Sequence, residues 1–433
     1  MNPGELYGTR WDAVVIGGGP AGSTTAATLC KRGWKVLLLE KTKFPRYHVG
    51  ESLMPFCYFT LERLGVLEEL KQMAFPKKYS VQFARASGEV SQPFYFFQHL
   101  EHEAATTWQV TRADFDHMLL NNARRCGVSV LENTRALGFI EKGDATVGVR
   151  AETGDGETIE VHAPVTVDAS GRDSLGISKK RWKVRDPKLN KVAIWTYYQG
   201  GKRDPGLDAG ATTVAYLDRK GWFWYIPMAN ETVSVGVVAD RDYLYRASRD
   251  PAEIFHTEIP NNAWISEHLS PARQEGPFHV TGEYSYRARY CATDGLVLAG
   301  DAFAFLDPVF SSGVFLALWS GEKAAESVDA ALQAKDFRGE VFNSYGTTMC
   351  RGIEAMRKLV YAFYDPAFSF GKLIRKFPEL RGRLTDCLIG DLFEKDYEAM
   401  FEAIGTISEL PLELQHGRSA HPAQRFTAET GVN

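Results

Sequence analysis

The chain has 433 residues, 44% of them hydrophobic and 24% charged, and a net charge of -4. That balance excludes disorder and collagen-like repeats, and the slight acidity removes any electrostatic reason to expect nucleic acid or anionic lipid as the main partner. At about 150 residues per domain, the length suits a large α/β unit with a satellite as well as three small domains. The six cysteines, Cys30, Cys57, Cys126, Cys291, Cys350 and Cys387, stand far apart with no CxxC pair. This fits reduced thiols in a cytoplasmic protein rather than a disulfide frame or a zinc site. Met1 to Arg10 has no basic stretch followed by an apolar run, so no secretory leader is expected. The stretch 296–319 is the most apolar but holds Asp301, Asp307 and Pro308. Each carboxylate would cost about 2.5–3.5 kcal/mol in hydrocarbon, so no membrane span is expected.

In chain order, Ala13-Val14-Val15-Ile16 reads as a short buried strand ending at glycines. Ala21 to Arg32 has small and apolar residues at helical spacing with Gly33 as a stop, and Val36 to Leu39 is a second buried strand. Strand, helix and strand within about 30 residues make a βαβ unit with parallel pairing. Ser52 to Met73 reads as helix, and Tyr79 to Phe97 as strand-like segments. Thr111 to Asp114 resembles a capping box opening a helix to about Cys126. Val128 to Leu131 and Val165 to Val167 read as strands, and Val147 to Val161 as a hairpin around Gly154-Asp155-Gly156. Lys191 to Val238 is strand-rich and predicts an antiparallel sheet. Leu296 to Ala299 returns to the buried-strand pattern, followed by helices to about Ile407 and a frayed polar tail.

Gly17-Gly18-Gly19-Pro20-Ala21-Gly22 has GxGxxG spacing directly between strand and helix. Gly17 permits the tight turn, Gly19 lets backbone approach a pyrophosphate, and Gly22 lets the helix pack closely on the strand. Glu40 follows about 20 residues later, where a carboxylate accepts ribose hydroxyls. Asp301, after the late buried strand, can accept from ribityl hydroxyls or cap a helix, and Arg112 can reach the diphosphate or ribityl chain. FAD fits these segments better than NAD.

These stretches, with Phe44-Pro45-Arg46, Gly50-Glu51-Ser52, Phe115-Asp116 and Asp168-Ala169-Ser170-Gly171, resemble the flavoprotein monooxygenase fold group shared with geranylgeranyl reductases. Trp222-Phe223-Trp224-Tyr225-Ile226-Pro227 is narrower and matches the WxWxIP motif of the FAD-dependent halogenases, and Asp307 to Val314 is similar to that family's segment beside the flavin. The resemblance covers roughly residues 10–330. It implies an FAD-binding Rossmann-type, glutathione-reductase-like α/β domain, with an inserted antiparallel β-sheet substrate domain and a helical C-terminal region. The implied division is 10–80, 111–180 and 286–330 for the FAD-binding domain, 81–110 and 181–285 for the substrate sheet, 331–414 for the C-terminal helices and 415–433 for a flexible tail. FAD contacts are implied for Gly17, Gly19, Pro20, Ala21, Gly22, Glu40, Lys41, Arg46, Ser52, Arg112, Ala136, Asp301, Pro308, Gly313 and Val314.

In that family reduced FAD, O2 and halide yield hypohalous acid, with the reduced cofactor supplied by a separate flavin reductase. The resemblance places chloride or bromide at Ser312 and Gly313, where a helix start offers free N–H groups. Trp222 and Trp224 share one strand face with Ile226 and can screen the oxidant from an organic substrate, or else form ordinary sheet core. The family's functional lysine falls on Lys78 rather than Lys77. A buried amine there would lose basicity through desolvation and become a better nucleophile, although without the resemblance Lys78 would read as solvated. Phe310 stands where the tryptophan halogenases carry a glutamate. This favours an aromatic substrate that activates itself, a phenol or pyrrole, free or tethered to a carrier protein. A geranylgeranyl-reductase-like oxidoreductase and an FAD-dependent aromatic monooxygenase share the same cofactor segments. His99, Glu101, His102 and Glu103 cluster, but no second ligand pair follows, so a surface loop is expected and no metal. The aromatic run from Leu359 to Tyr364, with Phe368 and Phe370, is expected as core or as the roof of a substrate pocket.

Overall fold

A computed structural model describes residues 10–186, 188–218, 221–282, 285–414 and 417–420. The expected leader-free start lies outside these residues except for Arg10. The expected tail does too, except for 417–420. Those four are tied down: Cys291 N–H donates to Arg418 O at 3.0 Å and Ala420 N–H to Ala292 O at 2.8 Å.

Six strands form the first sheet, in the order Ala292–Thr293, Leu296–Leu298, Val165–Asp168, Ala13–Ile16, Val36–Leu39 and Ser129–Leu131. All neighbours pair in parallel except the first two. Buried on both faces, its central strands are continuous apolar runs. The helix Pro20–Lys31 crosses from the first strand to the second and packs on the long helix Ser312–Ala334. The approach is close because of Gly321, where a Cβ would lie 2.4 Å from Ala21 O. The expected hairpin forms as Ala145–Glu152 with Thr158–His162, joined by Arg135–Lys142 in a separate three-stranded sheet.

The larger sheet has seven strands in the order Arg273–Thr281, Lys191–Gln199, Thr232–Asp240, Gly221–Pro227, Thr212–Leu217, Ser80–Ala84 and Phe94–Tyr95. It is mixed rather than purely antiparallel, because Ser80–Ala84 runs parallel to Thr212–Leu217. Alternation divides its faces. Trp195, Val214, Trp222, Trp224 and Ile226 join the main core, whereas Ile194, Phe223 and Tyr225 pack beneath Pro251–Glu258 and Ala263–Leu269.

Two local expectations are corrected. The segment 52–73 is two helices, Cys57–Leu64 and Leu67–Gln72, because Pro55 precedes the first and Gly65 turns left-handed at φ 75° between them. The helix Arg112–Arg125 forms, but the Thr111 side chain makes no cap bond, so no capping box exists. From Ser312 to Gly405 the chain is mainly helical, including Asn343–Tyr364, and these helices share the main core. Among the described residues, no helix is long and apolar enough to cross a membrane.

Candidate active site

A cavity of about 430 Å³ lies between the parallel sheet, the WxWxIP face of the larger sheet and the start of Ser312–Ala334. Its floor is the glycine turn. Gly17 adopts φ 100°, and a Cβ there would sit 2.3 Å from Ala169 O; at Gly22 a Cβ would come within 1.9 Å of Gly17 O. Only glycine allows both close approaches. Gly22 therefore acts as a packing residue behind the cavity, while Gly17, Gly19, Pro20 and Ala21 line it. The helix start at Gly19 has no side-chain cap, so its N–H end faces the cavity with the Arg46 guanidinium beside it.

Charge around this end is arranged in layers. Arg112 forms a two-pronged pair with Asp116 at 2.8 and 3.0 Å, and Arg46 shares that carboxylate at 3.1 Å. Arg112 also donates to Val49 O at 2.8 Å, fixing the loop that carries His48, Gly50 and Glu51. Burial and the neighbouring arginines push His48 down to about 4, so its ring is neutral. Glu40 accepts from Gly18 N–H at 2.7 Å and Thr42 N–H at 2.9 Å yet still lines the cavity. Lys41 pairs with Asp173 across the mouth.

Asp301 differs from these groups. It lies inside the short turn Gly300–Ala302 and does not cap a helix. Burial pushes its carboxyl up to about 6, against the pull of Arg172 and Arg112, and no hydrogen bond or ion pair engages it among the described residues. An acceptor without a donor among the described residues, facing a cavity that also offers glycine backbone and three guanidinium groups, fits the hydroxyl-rich chain and diphosphate of FAD.

The opposite wall is aromatic. Trp195, Trp222 and Trp224 line it, with Trp222 and Trp224 ring centres 6.1 Å apart. Trp222 Nε1 donates to Tyr364 Oη at 2.8 Å, and that hydroxyl donates to Asp307 Oδ2 at 2.8 Å. The C-terminal aromatic run is thus in contact with the wall: Phe363 packs edge-on against Trp222 and Phe310, and Phe370 lies edge-on to Phe310 and tilted against Phe83.

Lys78 is 2% exposed, whereas Lys77 points to solvent. The short strand Lys77–Lys78 pairs with Thr107–Trp108, and Ser52 bridges to Gln109 beside it. This sets Lys78 Nζ 2.9 Å from Ser52 Oγ and 3.2 Å from Leu53 O. Ser52 lines the cavity and shares a hydrogen bond of 2.8 Å with Thr212, another lining residue. Lys78 itself is therefore behind the wall, one hydroxyl away. No carboxylate pairs with it among the described residues, and desolvation lowers its amine to about 7. The nearby Cys57 thiol, pushed up to about 12 by burial, supplies no counter-charge.

Lys41, Arg46, Ser52, Arg112, Pro308, Gly313 and Val314 also line the cavity. Besides Gly22 and Lys78, two further expected residues do not. Ala136 sits on Arg135–Lys142 opposite Ala151 and packs on the far side of the parallel sheet. Ser312 is buried in the first helical turn, its side chain behind the lining, whereas Gly313 opens onto the cavity with free space around it. The His99 cluster is dispersed: His99 meets Asp386, and His102 caps Glu103–Ala105. Sequence reading missed Trp195, Tyr47, Thr212 and Arg172 in the wall. Alternation within Lys191–Gln199 already puts Trp195 and Tyr197 on one face, a usable signal for the first of them.

A family profile described as "FAD binding domain" matches residues 10–333. The 1H-pyrrole-2-carbonyl-[peptidyl-carrier protein] chlorinase of Pseudomonas fluorescens is 29% identical over 94% of this chain and 96% of its own length. The corresponding brominase of Pseudoalteromonas luteoviolacea is 32% identical over 89% and 93%. Among solved structures, the flavin-dependent brominase Bmp2 superimposes with a TM-score of 0.83 at 29% identity, over 91% of this chain and 98% of that one. With this similarity carried along nearly the whole chain, and with a cavity suited to the cofactor, the protein belongs to the FAD-dependent halogenase family.

Proposed function

We propose that this enzyme is a two-component halogenase that chlorinates or brominates an electron-rich ring, a pyrrole or phenol, free or held on a carrier protein. When bound, reduced FAD supplies the redox chemistry that turns O2 and halide into hypohalous acid. The chain's own residues bind, orient and separate. Gly17, Gly19, Pro20 and Ala21 hold the diphosphate at the helix start, with Arg46 and Arg112 as counter-charge. Glu40 and Asp301 accept from sugar hydroxyls. Halide is taken by backbone N–H groups at Gly313, to which Ser312 contributes its N–H alone. Trp222 and Trp224 keep the organic ring from the site of oxygen chemistry. Lys78 receives the oxidant, either donating a hydrogen bond as ammonium or, as free amine, forming an N–halogen bond with loss of water.

The observation that carries this reading is the buried Lys78 amine, without a counter-ion among the described residues, one hydroxyl behind the cavity wall. Phe310 in place of a carboxylate supports a ring that needs no assistance. The chlorinase and brominase named above, matched over about nine-tenths of the chain, act on a carrier-bound pyrrole, which supports the same class here. The sequence has one dinucleotide motif, which supports reduced FAD arriving from a separate flavin reductase. Six unpaired thiols are in keeping with a cytoplasmic setting.

The test is reconstitution with a flavin reductase, NADH, O2, chloride or bromide, and free or carrier-bound pyrroles and phenols, read by product mass. A halogenated pyrrole or phenol is expected. Hydroxylated product, anaerobic alkene reduction, or robust turnover of free tryptophan would contradict the reading.

A further inference from the structure

The three indoles of the cavity wall continue to the surface. Trp222 and Trp224 ring centres are 6.1 Å apart, and Trp224 and Trp195 are 6.2 Å apart. The second step crosses a whole strand, since Trp195 and Trp224 lie on either side of Thr232–Asp240 and both register with Gly236. A Cβ at Gly236 would sit 2.2 Å from the Trp224 ring, so glycine is what lets the indole lie over that strand toward Trp195. Trp195 Nε1 then donates to Tyr47 Oη at 2.8 Å, and His279 stacks on both rings with centres 5.2 and 4.7 Å away. Tyr47, itself a lining residue, is 50% exposed, whereas Trp222 is 2% exposed.

From this we infer that Trp222, Trp224, Trp195 and Tyr47 form an electron-hole escape chain, which carries one-electron oxidising damage from the buried indoles to an exposed tyrosine. It rests on FAD occupying the cavity, not on the choice of substrate. A hydroxyl or halogen radical arising from miscarried turnover takes one electron from an indole and becomes hydroxide or halide. Electrons from the next rings fill the vacancy in turn, until Tyr47 supplies the last one.

Tyr47 must lose its proton at that point, and a route is present. Tyr197 Oη lies within donating distance of both Tyr47 Oη, at 3.1 Å, and Glu51 Oε1, at 2.7 Å; its single proton serves one at a time, and when that proton faces Glu51 the Tyr197 oxygen is open to the Tyr47 proton. The Tyr47 proton moves to the Tyr197 oxygen as the Tyr197 proton moves to Glu51. Burial raises the Glu51 pKa and so makes that carboxylate the better proton acceptor. The neutral tyrosyl radical at the surface is then reduced by a soluble thiol or ascorbate, which returns one electron while the proton comes back from Glu51.

The test uses full-length protein loaded with oxidised FAD, its loading confirmed by absorbance, and a short light pulse that makes the flavin a one-electron oxidant. Transient absorption should show a tryptophanyl signal converting to a tyrosyl one that ascorbate quenches from solution. Tyr47→Phe should lose the tyrosyl signal and the ascorbate sensitivity while keeping the tryptophanyl signal. Trp195→Phe should lose the tyrosyl signal by cutting the chain one step earlier. Peptide mass analysis after turnover without substrate should find more oxidised Trp222 and Trp224 in both variants than in wild type. Transients and oxidation patterns identical among the three FAD-loaded proteins, or no tyrosyl signal in wild type, would overturn the inference. Neither readout needs a halogenated product, so failure of the substrate reading is distinguishable from failure of the chain.

Discussion

The two sides of the cavity are built on different principles. On the parallel-sheet side, recognition comes from backbone and from tightly paired charge: two glycines with no room for a Cβ, a helix start, and Asp116 shared by two arginines. On the larger-sheet side it comes from side chains drawn from distant strands, with indoles held by single hydrogen bonds and one buried amine without a counter-ion. The first side is a rigid holder whose parts fail together. The second is a set of separable contacts, in which chemistry can be lost while the holder stays intact.

The largest effect expected on the aromatic side is catalytic. Lys78→Met should lower halogenation by about 10²–10⁴-fold with FAD loading unchanged, measured by product mass beside flavin absorbance. Equal loss of FAD would erase the distinction between the two sides. Across the cavity, Asp116→Ala leaves Arg112 buried without its partner and should cost about 3–5 kcal/mol in urea unfolding, together with loss of FAD. A cost below about 1 kcal/mol, typical of surface ion pairs, would show that the layered charge does not hold this side.

Lys78 also makes a stability prediction with a definite sign. Its amine is lowered to about 7 in the folded chain but keeps its ordinary value when unfolded. Between those values the unfolded state binds the extra proton, so stability falls as pH drops from about 10.4 to 7 and levels off below. Lys78→Met should remove that slope, as read from urea midpoints across the range, and gain a few kcal/mol at pH 7 relative to pH 10.4. A parallel offset at every pH would count against it.

Gly22→Ala drives a methyl into backbone and should cost about 3 kcal/mol, the upper end for overpacking, with weakened FAD binding by equilibrium dialysis. The smallest effect belongs to Tyr364→Phe. It removes the acceptor of Trp222 and the donor to Asp307, for about 1–2 kcal/mol in thermal unfolding, with FAD retained. If FAD is lost instead, the wall and the holder are not separable.

The contrast also explains what could be read from sequence. Gly17 to Gly22 and Glu40 act through local geometry, so their spacing carries the βαβ unit and most of the holder. Alternation in Trp222 to Ile226 gives the shared face of the two indoles. Trp195 meets Trp224 only because Gly236 lets the Trp224 indole lie across the intervening strand, and Tyr364 meets Trp222 because a helix more than a hundred residues later packs there. Neither neighbour relation leaves a contiguous pattern. Ser52 to Met73 reads as one helix because its apolar spacing continues through Gly65, where the left-handed turn breaks the helix. Lys78 is singled out by resemblance alone. Its burial depends on the pairing of Lys77–Lys78 with Thr107–Trp108, which spacing does not reveal.

The most direct test of the account is titration of the lysine side chains by NMR in FAD-loaded protein, comparing wild type with Lys78→Met. One amine resonance should titrate near 7 and be missing from the variant, the mark of a buried amine with no counter-ion behind the cavity wall. If every lysine in the wild-type protein titrates near the ordinary value of about 10.4, Lys78 is solvated or paired and the proposed site of oxidant capture is wrong.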